Sequence, residues 1–362
     1  MKKGIILLFM FLFSLCVEGQ NPQNITTPRT ASPAASVSQV VGISTVNVNY
    51  SRPAVKKREV WGKQVPYGWN KQAFGTGVEA PWRAGANENT VIEFSHMAKV
   101  EGQIVPAGSY GLFFVVNQDN TGEVILSKDY RSWGSFFYDA KNDLVRAKIK
   151  LRTIPHVELL TYDFINATKN STELVLNWEL KQFPVKIEFN VNEIVMANAA
   201  EELKSTVGFN WQGYSSAATY ALQNNFNQEM ALVWIDKAIA QNKGFGTLVI
   251  KSGLLKKAGK NEEAEKLMSE AIAMPGTTEA EINQYGYQLL GTGQTDKAID
   301  IFLLNTQRFP GSANAWDSLG EGYVTKADKS NAIKSFKKAL TLNPNAGTKE
   351  NSENFLKQLG EK

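Results

Sequence analysis

A 34-residue spacing near the carboxyl end of the chain constrains the fold more than any other feature of the sequence. Alanine, phenylalanine and proline recur at this spacing in two adjacent segments, as Ala298, Phe302 and Pro310, then Ala332, Phe336 and Pro344. Gly286 and Gly320 keep the same register. Small residues let two helices approach, large residues fill the space between them, and proline ends the second helix. The spacing therefore predicts stacked pairs of helices.

The last complete unit carries the fullest pattern, W-x2-L-G-x2-Y followed by A-x3-F-x2-A and a proline. It consists of Trp316, Leu319, Gly320, Tyr323, Ala332, Phe336, Ala339 and Pro344. This pattern resembles the tetratricopeptide repeat (TPR), a helix–turn–helix unit of about 34 residues that stacks into binding surfaces. The resemblance implies that the aromatic residues of the pattern pack in the core. It also implies a protein partner, bound by exposed positions on the first helix of each pair.

Weaker copies of the unit precede the two clear ones. One comprises Ala264, Met268 and Ala271, with Pro275 near the expected stop. Another, shifted by one residue, comprises Ala231, Ile235 and Ala238. We predict helical repeats over 208–350 and a capping helix over 351–362, since about three stacked repeats are needed for a stable array.

The chain from 37 to 190 has the pattern of an all-β domain. Val46, Val48 and Tyr50 alternate with polar residues, as in a half-buried strand. The same alternation runs through Leu144–Ile154, and turn-forming residues separate the other apolar segments. Short strands at regular spacing predict an antiparallel sandwich or barrel. A helical period over 191–207 predicts a connector helix, so the fold class is a β domain followed by a short α-solenoid.

The amino terminus has the pattern of a secretory signal peptide. Two lysines precede the apolar segment Ile5–Leu15, and Gly19 offers a small residue for cleavage. We therefore predict a signal peptide over 1–19, a flexible lead-in over 20–36, and a periplasmic or extracellular location. A lipid anchor at Cys16 is the less favoured alternative, because Leu15 stands where a small residue should precede the cysteine.

Cysteine content and charge limit the classes of function further. Cys16 is the only cysteine, so a chain cleaved after Gly19 has neither a disulfide nor a thiolate site. Cleavage also removes two lysines and one glutamate, which changes the formal net charge from +4 to +3. This charge is too small to argue for nucleic acid. The apolar segment is too short to span a bilayer, so no transmembrane segment is expected.

Several motifs in the β half lie in a recognisable order. They are S-P-A-A-S-V-S-Q from Ser32, Y-S-R-P from Tyr50, V-P-Y-G from Val65, P-W-R-A-G-A-N-E from Pro81, P-A-G-S-Y-G from Pro106 and W-G-S-F-F-Y-D from Trp133. Together they resemble a family of bacterial envelope proteins known as domain of unknown function 2911, over roughly Ser32 to Phe189. The resemblance implies no established activity. It does indicate an insertion, Trp69–Pro81, where family members normally continue from V-P-Y-G almost directly to Trp-Arg.

The same motifs gather the candidate ligand-binding residues, which combine cations, one ring, an amide and a carboxylate. They are Arg52, Lys56, Arg58, Trp82, Arg83, Asn87 and Glu88. Guanidinium groups bind carboxylate or phosphate, and rings suit a sugar, so a small anionic ligand or a glycan is one hypothesis. The favoured alternative is structural, with these side chains tying long loops onto the sheet through backbone carbonyls.

No catalytic motif is assembled in the sequence. His156 and Glu158 share one face of a predicted strand, and a hydrogen-bonded surface pair is favoured over acid–base or metal chemistry. The spacings G-x-S-x-G and H-E-x-x-H are absent, and no cofactor or metal is expected. We therefore favour a non-catalytic exported binding or scaffold protein. The alternative is an envelope enzyme acting on a polar substrate, such as a glycan, through Glu88 with Arg52 and Arg83.

Overall fold

The computed structural model describes residue 29 and residues 31–361, and the chain divides into two compact units between Ile194 and Val195. The predicted signal peptide, Cys16 and most of the predicted lead-in lie outside the described residues. The last residues of the predicted lead-in already belong to a strand, because the first strand begins at Ala34.

The first unit is built from β-strands in the part of the chain that the structure describes. They are β1 Ala34–Val41, β2 Ser44–Ser51, β3 Asn70–Lys71, β4 Glu79–Ala80, β5 Thr90–Phe94, β6 Ala98–Val100, β7 Gln103–Val105, β8 Gly108–Val116, β9 Thr121–Ser127, β10 Asp143–Lys150, β11 Arg152–Ile165 and β12 Ser171–Glu188. One antiparallel sheet has the order β1-β2-β5-β8-β9-β10, and a second has the order β11-β12-β6-β7.

The two sheets enclose one apolar core. Alternate side chains of β2 and β8, such as Val48 and Phe114, meet Leu176 and Phe183 of β12 in that core. Both sheets are open over residues 31–361, so of the two predicted architectures the sandwich is observed and the closed barrel is not. Period-two alternation can serve either architecture, because the number and order of the strands decide whether a sheet closes.

The predicted insertion forms a small cover on the outer face of the larger sheet. Its strands β3 and β4 pair with each other. Trp69 and Ala80 pack on Phe113, whose side chain points away from the sandwich core. Tyr138 completes this cluster, with its ring centroid 5.8 Å from that of Trp69. The insertion therefore buries an apolar patch on the second face of a strand pair that is already buried on its first.

The second unit consists of helices that repeat at the predicted spacing. The helices described are α1 Val191–Glu202, α2 Trp211–Asn224, α3 Gln228–Gln241, α4 Phe245–Lys257, α5 Asn261–Ala273, α6 Glu279–Gly291, α7 Thr295–Arg308, α8 Ala313–Thr325, α9 Lys329–Leu340 and α10 Ala346–Gln358. The first helices of successive pairs begin at 211, 245, 279 and 313, which are 34 residues apart. The predicted solenoid is thus confirmed.

The ends of the solenoid differ in detail from the predicted boundaries. Helix α10 begins five residues earlier than the predicted start at 351, because the Asn345 side chain accepts a hydrogen bond from the Thr348 amide and caps the helix. Helix α1 ends at Glu202, and a short 3-10 turn over Thr206–Phe209 fills the rest of the predicted connector. Among the described residues, no helix is long and apolar enough to cross a bilayer.

Close helix packing in the last two pairs depends on glycine facing phenylalanine. A Cβ atom added at Gly286 would lie 2.3 Å from the ring of Phe302, and one at Gly320 would lie 2.6 Å from the ring of Phe336. Both rings are fully buried. Contacts this short leave no room for any side chain, so the small residues of the pattern set the distance between the helices of a pair.

A polar network joins α10 to α8. Asn351 donates hydrogen bonds to the carboxylates of Asp317 and Glu321, at 2.7 Å each, and the Ser352 hydroxyl donates to Asp317. Burial raises the pKa of both carboxyl groups, although the hydrogen bonds from α10 oppose the shift. One amide therefore bridges two partly buried carboxylates and offsets part of the cost of burying their charges.

Replacing Asn351 with alanine should lower stability in a pH-dependent way. We expect the free energy of unfolding to fall by about 1–3 kcal/mol at neutral pH. An acid whose pKa is raised in the folded state loses stability as pH rises through that pKa, so the loss should be smaller near pH 4.5. Urea unfolding followed by circular dichroism at both pH values would measure it. Asn354→Ala, at an exposed site on the same helix, is the control, and equal losses at both pH values would contradict the assignment.

Candidate functional site

The predicted site residues are held by the β unit, and most of their polar atoms are already bonded. Arg52 follows β2, and its guanidinium donates to the carbonyl of Leu160 at 2.9 Å and to the hydroxyl of Thr161 at 2.7 Å. Both acceptors lie on β11. Arg52 thus ties the end of β2, in one sheet, to the edge strand of the other.

The loop after β2 is fixed in a similar way. Arg58 donates to the carbonyls of Val55 and Ala54, at 3.1 and 2.5 Å, and to the side chain of Gln64. The backbone amide of Lys56 donates to the Glu158 carboxylate at 2.8 Å, and the Lys56 side chain is exposed. Arg58 therefore organises its own loop, and the exposed Lys56 contributes only its backbone amide to these described hydrogen bonds.

Trp82 belongs to an aromatic cluster between the sheets. Its ring stacks on Trp178, with centroids 5.8 Å apart and planes 19° apart, and meets Trp61 edge to face. Its backbone exchanges two hydrogen bonds with Phe114, at 2.8 and 2.9 Å. Trp178 therefore covers one of the two ring faces on which a sugar could stack.

Arg83 and Asn87 close the loop that precedes β5. The Arg83 guanidinium donates to the Asn87 carbonyl at 2.5 Å and lies 5.1 Å from the centroid of the Phe136 ring. Burial lowers the pKa of Arg83. Gly134 leaves the space for this guanidinium, because a Cβ there would lie 2.1 Å from its central carbon. Gly134 and Phe136 of the W-G-S-F-F motif therefore line the space that the Arg83 guanidinium occupies.

Glu88 receives a cation from the segment before β1. The guanidinium of Arg29 donates to both carboxylate oxygens, and one of these contacts measures 2.9 Å. The same guanidinium donates to the Ser51 hydroxyl at 3.0 Å. Although partial burial opposes the change, these hydrogen bonds and the Arg29 charge lower the pKa of Glu88. The carboxylate is therefore ionised and paired, which suits an anchor better than a general acid.

The described contacts do not gather the candidate residues around one cleft. Arg52, Arg58 and Arg83 are bonded to backbone carbonyls, and Glu88 is paired with Arg29. His156 lies 3.8 Å from Glu158, and both side chains are half exposed. Over the described residues, no group of three or more potential metal ligands is found. A ligand on the β unit stays a prediction, and the contacts favour the structural interpretation of these residues.

The helical unit holds a cavity of about 620 Å³ between the second helix pair (α4, α5) and the third (α6, α7). We call this space the second junction. Its apolar wall includes Met268, Ile272 and Leu289, and Lys297 and Glu265 form an ion pair of 2.7 Å at its rim. The other lining residues are Val249, Ser252, Gly253, Lys256, Asn261, Ala264, Ser269, Tyr285, Gln288, Thr292, Gln294, Asp300 and Ile301.

The repeat register explains why this junction is open. Between the third and fourth pairs, Gly322 lets α8 close on α7, since a Cβ there would lie 3.1 Å from Phe302 and 3.2 Å from Ile299. One repeat earlier, the three equivalent positions are Gln288, Met268 and Glu265. A long amide replaces glycine, a flexible thioether replaces an aromatic ring, and a charge replaces isoleucine. These substitutions keep the second and third pairs apart.

A second cavity of about 490 Å³ adjoins the first. It lies between α5 and α7 and shares Ser269, Ile272 and Ile301 with the second junction. Arg308 lines it and donates to the carbonyls of Met274 and Thr277, at 3.0 and 3.2 Å, and to that of Ile272. The two cavities therefore form one elongated groove. This groove was not predicted from the sequence, although the three departures from the repeat pattern could have indicated it.

These features define a two-unit protein, in which an antiparallel sandwich precedes a repeat array of the protein-binding class. Residues 32–187 match the family described as "Protein of unknown function (DUF2911)", and residues 313–346 match a tetratricopeptide repeat. The first unit therefore carries a DUF2911 domain, and a TPR follows it near the carboxyl end, as predicted. None of the curated proteins matches the chain at a significant level.

Solved structures similar to this chain include several TPR proteins. YrrB, described as a TPR protein with an unusual peptide-binding site, is 19% identical over 46% of this chain and 84% of its own, with a TM-score of 0.30. MamA is 20% identical over 41% of this chain and 85% of its own, with a TM-score of 0.30. PilF of Pseudomonas aeruginosa is 18% identical over 42% and 71%, also with a TM-score of 0.30.

Proposed function

We propose that this protein is an exported, non-catalytic scaffold whose helical unit binds a segment of a partner protein in the groove that starts at the second junction. The observation that carries the proposal is the open junction itself, in an array of the repeat class that mediates protein–protein interaction. Its volume of about 620 Å³ falls within the usual range for ligand sites. In the two later repeats, the rings of Phe302 and Phe336 occupy the equivalent position and pack in the core.

Export is supported by the amino-terminal pattern of two lysines, an apolar segment and Gly19. A partner would then be met outside the cytoplasm. The absence of cysteine after Cys16 means that the groove keeps its shape without disulfides in that environment. Cell fractionation that leaves the full-length chain in the cytoplasm would contradict this part of the proposal.

The β unit is proposed as a carrier rather than as a reaction centre. An anionic or glycan ligand at the predicted site would have to displace Arg52, Arg58 and Arg83 from backbone carbonyls. Each displaced carbonyl would lose a charge-assisted hydrogen bond, which is costly where the group is buried. For the same reason the enzyme hypothesis, with Glu88 beside Arg52 and Arg83, receives no support from these contacts.

Replacing Ser269 with tyrosine should block the groove without disturbing the core. Ser269 is exposed, lines both cavities, and donates only to the Glu265 carbonyl of its own helix turn. We expect the full-length wild-type protein to retain a specific envelope protein, and the S269Y variant to lose about tenfold or more in affinity for it. Chemical cross-linking of that protein to the groove, followed by titration of the purified pair, would measure both.

Ser330 offers a matched control, because it is an exposed serine on α9 that lines neither cavity. The S330Y variant should bind the partner as the wild type does. If S269Y and S330Y bind equally well, the groove is not the recognition surface. If the wild-type protein retains no envelope protein at all, the scaffold proposal itself is wrong.

A further inference from the structure

The second junction lacks the aromatic side chain that fills the equivalent place in the later repeats. Phe302 and Phe336 are fully buried at positions 34 residues apart, and the next position back in the register is Met268. Met268 is buried as well, yet a cavity stays open beside it. The array therefore contains one layer whose central ring is missing, although its walls are in place.

We infer that the partner supplies this ring, by inserting an aromatic side chain, phenylalanine above all, into the second junction. The inference rests on the proposed function and deepens it by naming the chemistry of the bound segment. The wall that would meet the ring is formed by Met268, Ile272 and Leu289. Methionine suits this role, because its thioether is flexible and makes favourable contacts with aromatic rings.

The shape of the groove favours an extended segment over a compact ligand. The second cavity, between α5 and α7, adjoins the second junction, and Ser269, Ile272 and Ile301 line both spaces. A ring seated in the second junction would leave the adjoining residues of the same segment over the second cavity. An extended strand of a few residues fits this length, whereas a single small molecule would leave one cavity empty.

The polar lining sets the charge of the segment. Two cations, Lys256 and Lys297, and two acids, Glu265 and Asp300, line the second junction, so their charges balance. The side-chain amides of Asn261, Gln288 and Gln294 also line it and can donate to, or accept from, a peptide main chain. Within the second junction, electrostatic complementarity therefore favours residues without net charge, bound through their main chain and anchored by the ring, while Arg308 adds one cation in the adjoining cavity.

Short blocked peptides of the form Gly-Ser-Xaa-Ser-Gly test the inference directly on the full-length protein. Xaa is phenylalanine, leucine or alanine, and binding is measured by titration of methionine methyl resonances. Because burial of a phenyl side chain contributes more than burial of a methyl group, we expect the phenylalanine peptide to bind about tenfold or more tightly than the alanine peptide. Leucine should lie between them. Equal binding of the three peptides would overturn the inference.

An aromatic side chain supplied by the protein itself at the second junction should remove the preference for the phenylalanine peptide. In the Met268→Phe variant the protein supplies its own ring, and the phenylalanine peptide should lose about tenfold or more in affinity. Met268→Leu nearly conserves volume and should keep the preference. Since Ser252 stands where glycine faces the ring in later repeats, M268F could fail to fold. Gln288→Phe, at an exposed site on α6, then fills the same space and should have the same effect.

The outcomes separate this inference from the scaffold proposal. If the envelope partner is lost with S269Y but kept with M268F and Q288F, the groove binds the partner without an inserted ring, and only the inference falls. If S269Y keeps the partner, the groove is not the recognition surface, and the inference falls with it. A partner lost with all three variants, and a preference for phenylalanine lost with M268F and Q288F, would support the inference.

Discussion

Replacing Phe302 with alanine is expected to lower the free energy of unfolding of the helical unit by about 3–5 kcal/mol. The ring is 0% exposed and lies between two helices that glycines bring close, α6 at Gly286 and α8 at Gly322. The ring of Tyr287 also meets it edge to face, at 5.2 Å. Removing it would leave a cavity at the centre of two layers, since the backbones on both sides are already in contact with the ring.

Phe209 provides the matched control for this substitution. It belongs to the same unit and is 74% exposed, so Phe209→Ala should change stability by no more than about 0.5 kcal/mol. Chemical unfolding followed by far-ultraviolet circular dichroism would compare the two variants. Similar losses for both would mean that Phe302 is not the centre of the repeat core.

The contact with Gly286 makes a further, non-additive result expected. Gly286→Ala should destabilise the wild-type protein, because the new methyl group would lie 2.3 Å from the ring. In the Phe302→Ala background the same substitution has room, and alanine is better than glycine in a helix by about 1 kcal/mol. A double-mutant cycle should therefore show coupling, whereas additive effects would contradict the packing described for this pair.

Replacing Trp82 with alanine should destabilise the β unit by about 3 kcal/mol, near the lower end for such a truncation because the ring is only partly buried. The loss has a clear source in the stacked contact with Trp178 and the edge-to-face contact with Trp61. A Trp82 that served only to bind a ligand would leave stability unchanged. Differential scanning calorimetry distinguishes these outcomes, provided that the transition of the β unit is followed separately.

Trp133 supplies the control for Trp82. It lies in the same unit and is 53% exposed, so Trp133→Ala should shift the transition much less. If Trp133→Ala proves as damaging as Trp82→Ala, the aromatic cluster between the sheets is not what holds the β unit together.

Local and periodic features of the fold could be predicted from the sequence because they depend on neighbouring residues. Alternation in β2 and the 34-residue register of Phe302 and Phe336 each report one buried face, whatever the rest of the chain does. The choice between sandwich and barrel could not be predicted in this way. It depends on which strands pair across long stretches of chain, such as β2 with β5 and β12 with β6.

The candidate site, too, could be predicted from the sequence only in part. Arg52, Arg83 and Glu88 have the chemistry of a binding site when only their types and spacing are considered. Their partners come from distant parts of the chain: Leu160 and Thr161 for Arg52, and Arg29 for Glu88. Spacing along the chain does not record such partners, so it cannot distinguish an available guanidinium from one that is already bonded.

The sequence by itself determined the repeat, because glycine and phenylalanine at a fixed period can pack in few other ways. It also determined that one repeat departs from the pattern, at Glu265, Met268 and Gln288. Only the tertiary structure decided what that departure does. Whether neighbouring helices close over a substituted layer or leave it open depends on the packing of both pairs at once, and here it leaves a groove.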